Sequence, residues 1–259
     1  MTNAFFTSVD NQWFEPTSHT RGPWDVNACH AGPPTGLLAR AAELALPDKR
    51  LVRITVDLIR PIPFSGFSVS ANVTRSGKTV STCSAQIRDG NGKLMANASA
   101  LLMAEQPPED LESHTQTLGS IDTATDGDFP IETLHNEPAF SGDGVEIKYV
   151  EGHNKQPGPT ALWMKTVPLL ATENPSPFQQ ICPLADCGNA FGRNAEPSDV
   201  SFVNADLTLV LNRDPIGPWL GSNSVGYWES NGHGMADALL FDAHGVVGRA
   251  LQSLLLRKA

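Results

Sequence analysis

What the chain lacks narrows its function before any motif is considered. It has four cysteines, Cys29, Cys83, Cys182 and Cys187, and no Cys-x-x-Cys pair. Without that spacing or an export signal, reduced buried thiols are expected. No apolar run approaches the roughly 18 residues of a membrane span. The opening "MTNAFFTSVD" has neither a basic region nor a long apolar one, so it does not read as a secretory signal, and a cytoplasmic location is expected. Phosphate-cradling loops are missing: "GNGK" (90–93) sits in a hairpin, and "GDGVEI" (142–147) lacks the third glycine of a dinucleotide fingerprint. "GFSVS" (66–70) lacks the last glycine of a serine-nucleophile elbow. There is no His-Glu-x-x-His, the seven histidines are scattered, and His30, opening "HAGPP", reads as a turn histidine, so no metal is implied. Positive charge is scarce: 18 Lys and Arg against 28 Asp and Glu give a net charge of −10. Nucleic acid, which needs a basic stripe, is disfavoured as a partner.

The distribution of that charge is more telling than its sum. Residues 1–104 hold ten basic and seven acidic side chains, residues 105–160 hold two and twelve, and residues 161–259 hold six and nine. The excess lies in "EQPPEDLESHTQTLGSIDTATDGDFPIETLHNEPAFSGDG" (105–144), rich in Pro, Gly, Ser, Thr and acids, which reads as a long linker. The expected division is 1–104, linker 105–144, and 145–259. At 259 residues and 40% hydrophobic content, there is enough chain for one large or two small cores.

The two flanks resemble each other. At an offset of 153, Cys29 meets Cys182, Thr55 meets Thr208, Leu58 meets Leu211 and Arg60 meets Arg213. Asp89, Gly92, Leu101 and Leu102 meet Asp242, Gly245, Leu254 and Leu255 without a gap. A duplicated unit follows. In the first copy, "PPTGLLARAAELAL" (33–46) has early prolines and an apolar stripe through Leu37, Leu38, Ala41, Ala42 and Ala45, which predicts a helix. "LVRITVDLI" (51–59), "FSVSANVTR" (67–75) and the two arms of "STCSAQIRDGNGKLMANASALLM" (81–103) alternate as strands, with "DGNG" as a hairpin turn. The second copy reads "PLADCGNAFG", "SFVNADLTLVLNRDPIG", "SNSVGYW" and "MADALLFDAHGVVGRALQSLLLRK" in the same order. A helix held against a curved antiparallel meander, occurring twice, is an α+β architecture.

The comparison isolates three polar residues of the second copy. Asp186 in "LADCGNA" faces Pro33, Asn204 faces Leu51, and Gln252 in "RALQSLLL" faces Ser99. Gln252 shares a strand face with Ala250, Leu254 and Leu256, and the opposite face, Leu251, Ser253 and Leu255, also reads as buried. A buried amide must find partners or cost roughly 1–3 kcal/mol, and a buried unpaired carboxylate costs several. Asp186, read as lying in the first turns after Pro183, would have its anion favoured by the helix dipole and opposed by burial. Two readings stay open: a polar brace with no chemistry, or a site that holds a water molecule.

These stretches resemble the TesB-like (type II) acyl-CoA thioesterases. The matching pieces are "HAGPPTGLLARA" with "VDLIRPIP", then "LADCGNA", "VNADLTLVLNRDP" and "GVVGRALQSLLL", over about 22–104 and 160–257. The resemblance implies a double hotdog fold and hydrolysis of fatty acyl-CoA, with no cofactor because CoA is part of the substrate. It implies a water held by Asp186, Asn204 and Gln252. Asn204 departs from the threonine of the best-known members, though its amide can still donate and accept. Gly32 and the backbone near Gly188 are candidates for binding the developing oxyanion. It also implies a homo-oligomer, most simply a dimer. The alternatives are a non-hydrolytic acyl-thioester-binding protein and a hotdog enoyl-CoA hydratase. The latter pairs a histidine with an aspartate, and no histidine lies in "PLADCGNAFG". One active centre is expected, with the first helix as a chemically silent counterpart.

Overall fold

A computed structural model describes residues 3–10, 12–108, 111, 112 and 115–259. The expected first unit (1–104) and linker (105–144) each include a few positions outside these. The strands are β1 (Phe6–Ser8), β2 (Trp13–Pro16), β3 (Arg50–Leu58), β4 (Phe67–Arg75), β5 (Val80–Arg88), β6 (Leu94–Met103), β7 (Thr125–Gly127), β8 (Val145–Tyr149), β9 (Thr160–Thr166), β10 (Val200–Asn204), β11 (Asp206–Leu211), β12 (Leu220–Trp228), β13 (His233–Asp242) and β14 (Gly245–Lys258). The helices are α1 (Gly32–Ala45), α2 (Pro177–Ala185) and α3 (Gly188–Phe191).

The strands form one 14-stranded sheet in the order β1-β2-β4-β5-β6-β3-β11-β14-β13-β12-β9-β8-β7, with β10 also paired to β14. The order is a palindrome of the repeat: β4-β5-β6-β3 on one side of the seam, β11-β14-β13-β12 on the other. At the seam β3 and β11 run antiparallel with Thr55 opposite Thr208. Their hydroxyls hydrogen-bond at 3.1 Å. These two residues are equivalent in the repeat, so a pseudo-twofold axis passes between them. The hairpin turns also correspond: Gly92 and Gly245 both adopt positive φ, 76° and 116°, where glycine avoids a Cβ clash. This is the double hotdog: the sheet curves around α1 and α2.

The helices pack against each other through glycine. A Cβ on Gly32 would come 2.8 Å from Pro183 Cα, and one on Gly36 would come 2.8 Å from a Leu169 methyl. Leu37, Leu38, Ala39 and Ala42 of α1 and Ile181, Cys182, Leu184 and Ala185 of α2 join one core with inward residues of the sheet such as Ile54, Val56, Leu207 and Leu209. All four cysteines are free thiols, three of them buried.

Three local expectations are corrected. The helix of the second unit begins at Pro177, not near Pro183: Ser176 Oγ caps it by accepting the Gln179 N–H at 3.2 Å, and proline at the first position needs no hydrogen bond there. The expected strand through "SFVNADLTLV" is broken at Ala205 into β10 and β11, both paired to β14. The Leu251–Leu255 face of β14 is not buried: those side chains are 36% and 37% exposed. The Gln252 face is buried, as the pattern predicts.

Candidate active site

The break between α2 and α3 creates the site. Pro183 inside α2 has no N–H to continue the helical ladder, and the helix ends at Ala185. Asp186 and Cys187 form the turn before α3. Asp186 is therefore at the C-terminal end of its helix, where the dipole disfavours an anion, and not in a first turn as expected. The compensating helix end belongs to the other unit. The backbone N–H groups of Ala31 and Gly32, at the start of α1, lie close enough to the Asp186 carboxyl to favour its anion. The first helix thus abuts the second unit's carboxyl directly.

Asp186 is only 4% exposed, and its carboxyl is fully partnered. Oδ1 accepts from Asn204 Nδ2 at 2.8 Å and from Gln252 Nε2 at 3.0 Å. The same Gln252 nitrogen donates to the Asp186 carbonyl at 3.0 Å, and Gln252 Oε1 accepts the Asn189 N–H at 2.9 Å. Gln252, 2% exposed, therefore engages each polar atom of its amide. Asn189 Nδ2 donates to Asn204 Oδ1 at 3.4 Å, closing the network. Oδ2 lies 3.2 Å from His30 Nδ1. Burial pushes the carboxyl up to about 7, against the hydrogen bonds from Asn204 and Gln252 and the nearby N–H groups of Gly32 and Ala31, which favour the anion. Burial likewise pushes the His30 imidazole down to about 3.

The structure thus brings Asp186, Asn204 and Gln252 together. It places Gly32 and Gly188 behind them. A Cβ at Gly32 would meet Asp186 Cβ at 3.2 Å, and one at Gly188 would meet Gln252 Oε1 at 3.2 Å. Neither glycine lines the open pocket, and the Gly32 N–H lies close to Asp186 and is directed, at 3.2 Å, to His30 Nδ1. Both permit close approach behind the carboxyl.

In front of the carboxyl is a pocket of about 380 Å³. Asp186, Asn189, Asn204 and His30 form its polar end; Trp24, Ile62, Phe129, Ile131, Phe140 and Phe202 are among its apolar walls. An apolar cavity with a few convergent polar groups is the usual form of a small-molecule site. Three residues escaped the sequence reading. Asn189 lies three positions beyond Asp186, a spacing that would have placed it on the same helical face. Phe140, in the acidic connecting segment, stacks on His30 with ring centroids 4.0 Å apart and planes at 15°. His30 itself comes from before α1, so the absence of histidine from "PLADCGNAFG" does not separate hydratase from thioesterase. Among the described residues no cluster of three or more His, Cys, Asp or Glu side chains is placed to hold a metal, and no helix is long and apolar enough to cross a membrane.

The double hotdog, with its buried carboxyl at the end of an apolar pocket, is a fold shared with known thioesterases. The model of the acyl-CoA thioesterase N-terminal domain matches residues 20–103, and that of the acyl-CoA thioesterase C-terminal domain matches residues 108–256. The chain belongs to the acyl-CoA thioesterase family and is a thioester hydrolase. Solved structures agree in fold. A provisionally assigned thioesterase from Novosphingobium aromaticivorans superposes with a TM-score of 0.75 at 18% identity, covering 98% of each chain. The tesB protein of Mycobacterium avium subs paratuberculosis gives 0.68 at 11% identity over 97% of this chain and 95% of that one. The acyl-CoA thioesterase II TesB2 of Mycobacterium marinum gives 0.66 at 13% over 98% and 95%. Comparison with curated proteins finds no match.

Proposed function

We propose that the protein hydrolyses fatty acyl-CoA to the free acid and CoA by water attack assisted by Asp186. The observation that supports this reading is the buried Asp186 carboxyl at the polar end of an apolar pocket, with Asn204 and Gln252 on one oxygen. In its anionic form Asp186 takes a proton from water as the water oxygen bonds to the thioester carbon. The tetrahedral intermediate then expels the thiolate with the C–S bonding pair, and Asp186 returns the proton to sulfur. The product acid releases its remaining proton to solvent. A carboxyl raised to about 7 is a far better base at neutral pH than an ordinary aspartate. Asn204 and Asn189, at the pocket surface, hold the water, whereas Gln252, with its amide N–H groups directed at Asp186, holds the carboxyl. Fixing the water contributes through orientation.

In this reading the units 1–104 and 145–259 share the site, and the 105–144 connection closes it with Phe129, Ile131 and Phe140. No cofactor is required beyond the CoA of the substrate. The protein acts in the cytoplasm as a homodimer, which light scattering can test. The main experiment is steady-state thiol release with acyl-CoAs of graded chain length. Absence of turnover on every chain, or near-full activity of Asp186→Asn, would sink the mechanism. Tight binding without turnover would favour an acyl-thioester carrier instead.

The contact between His30 and Asp186 favours a second reading, hydration of an enoyl-CoA, in which such a pair takes a proton from water as its oxygen bonds to Cβ and gives a proton to Cα. Mass analysis of products from an enoyl-CoA separates the two. Hydrolysis releases free thiol; hydration adds one water and releases none.

A further inference from the structure

At the contact between Asp186 and His30 the backbone offers one donor, the Gly32 N–H, which points at His30 Nδ1 at 3.2 Å. Oδ1 has its donors in Asn204 and Gln252. Oδ2 stands 3.2 Å from His30 Nδ1. A carboxylate oxygen and an unprotonated ring nitrogen both present lone pairs; the Gly32 N–H answers one of them, and a direct bond between Oδ2 and Nδ1 needs a further proton. The ring is not free to turn away. Phe140 stacks flat on it, the start of α1 follows it directly, and its Nε2 is 3.8 Å from Cys187 Sγ. The side chain of His30 is 11% exposed, so water competes poorly for either nitrogen.

We propose that His30 is a positioning residue for Asp186, holding one proton between its Nδ1 and Oδ2 and so fixing the orientation and charge state of the carboxyl. When Asp186 is ionised, the proton is on Nδ1 and donates to Oδ2, and the Gly32 N–H, which Nδ1 then no longer accepts, is left to the carboxylate. When Asp186 is neutral, the proton is on Oδ2 and donates to Nδ1, and the ring carries its other proton on Nε2, toward Cys187. Burial drives both partners toward their neutral forms, the carboxyl upward and the imidazole downward, which keeps the edge from becoming a fixed ion pair.

The groups packed around the pair leave it to titrate alone. The Cys187 and Cys182 thiols, from the turn and from α2, are pushed up by burial and stay neutral. Asn204 faces it from β10, Gln252 from β14, Asn189 from α3 and Phe140 from the connecting segment. None of these carries charge. The first unit therefore supplies a side chain, as well as helix N–H groups, to the second unit's carboxyl.

The catalytic consequence rests on the hydrolase reading; the shared proton does not. The test is infrared titration of the Asp186 carboxyl stretch in the intact protein, assigned by its loss in Asp186→Asn, beside the pH profile of kcat. Removing the donor in His30→Phe should raise the carboxyl transition by about one pH unit or more. In His30→Asn an amide N–H stands near the position of Nδ1 and cannot accept, so the transition should return to the wild-type value or fall below it. The acid limb of kcat should move with the carboxyl in each variant, with KM changed less than about threefold. If the transition is the same in all three proteins, or if kcat falls equally at every pH, the proposal is wrong. Should His30→Phe not fold, His30→Asn alone decides: a transition above the wild-type value overturns the proposal. If wild type cleaves no acyl-CoA, the hydrolase reading fails, while the carboxyl titration still decides this one.

Discussion

The two units share a fold and differ in what they bury. Around the pseudo-twofold axis at Thr55 and Thr208, strands, hairpins and positive-φ glycines correspond. The helices do not: α1 runs unbroken for 14 residues, while α2 stops at Asp186 and resumes as α3. That break lets the second unit turn a carboxyl toward the pocket, and it leaves the anion at the wrong end of its own helix. The first unit corrects this with the Ala31 and Gly32 N–H groups and with His30. A duplication in which each half stays ordinary would give two cores; here one half is interrupted and the other stabilises the interruption.

The largest expected effect comes from the interrupted half. Asp186→Asn should lower kcat by about 10² to 10⁴-fold in thiol release, the usual range for loss of a general base. It should also change how stability depends on pH. The native carboxyl keeps its proton up to about 7, the unfolded one only to about 3.8. Between those values the native state binds more protons, so this group's contribution to stability is full below about 3.8 and is lost as pH rises through about 7. Thermal melts at pH 8 should show Asp186→Asn at least as stable as wild type, despite its inactivity. His30, whose imidazole is lowered by burial, contributes with the opposite slope, losing stability as pH falls from its ordinary 6.5 toward about 3.

Next is the ordinary half. Gly32→Ala places a methyl 2.8 Å from Pro183 Cα and 3.2 Å from Asp186 Cβ, so the carboxyl must move. A displacement of this kind should cost about 10²-fold in kcat, with a smaller change in KM. Gln252→Leu strips Asp186 of one donor and orphans the Asn189 N–H. It should lower kcat by about 10 to 10²-fold and destabilise by about 1–3 kcal/mol in urea titration. The smallest effect belongs at the seam: Thr55→Val with Thr208→Val removes a hydrogen bond on the axis, costs about 1 kcal/mol, and leaves kcat within about twofold. A large loss of activity there would mean that the halves communicate through the sheet instead of through the helix ends.

How much of this was legible follows from the range of each signal. The strands flanking "DGNG" and "DAHG" show in the sequence because alternation has a period of two and the turns have their own residues. The repeat predicted two like units, while the palindromic order in which their strands meet is a finding of the structure. Asp186 and Gln252 stood out because charge and amide in apolar stretches are costly and local. The start of α2 was legible in Ser176-Pro177 but was obscured by the ungapped repeat, which holds for the strands and fails for the helices. β1 and β2 at one end of the sheet and β9, β8 and β7 at the other have weak alternation. His30 and Phe140 could not be placed, since a stacking contact across 110 positions leaves no period in the chain.

The most direct test of the account is the pH dependence of kcat/KM for wild type, measured between about pH 5 and about pH 9 with the acyl-CoA that turns over best. If a buried, ionised Asp186 activates water, the rate rises with an apparent pKa near 7, and the small residual rate of Asp186→Asn lacks that rise. A wild-type profile that stays flat across neutral pH, or an Asp186→Asn protein that keeps both the rate and the rise, would contradict it.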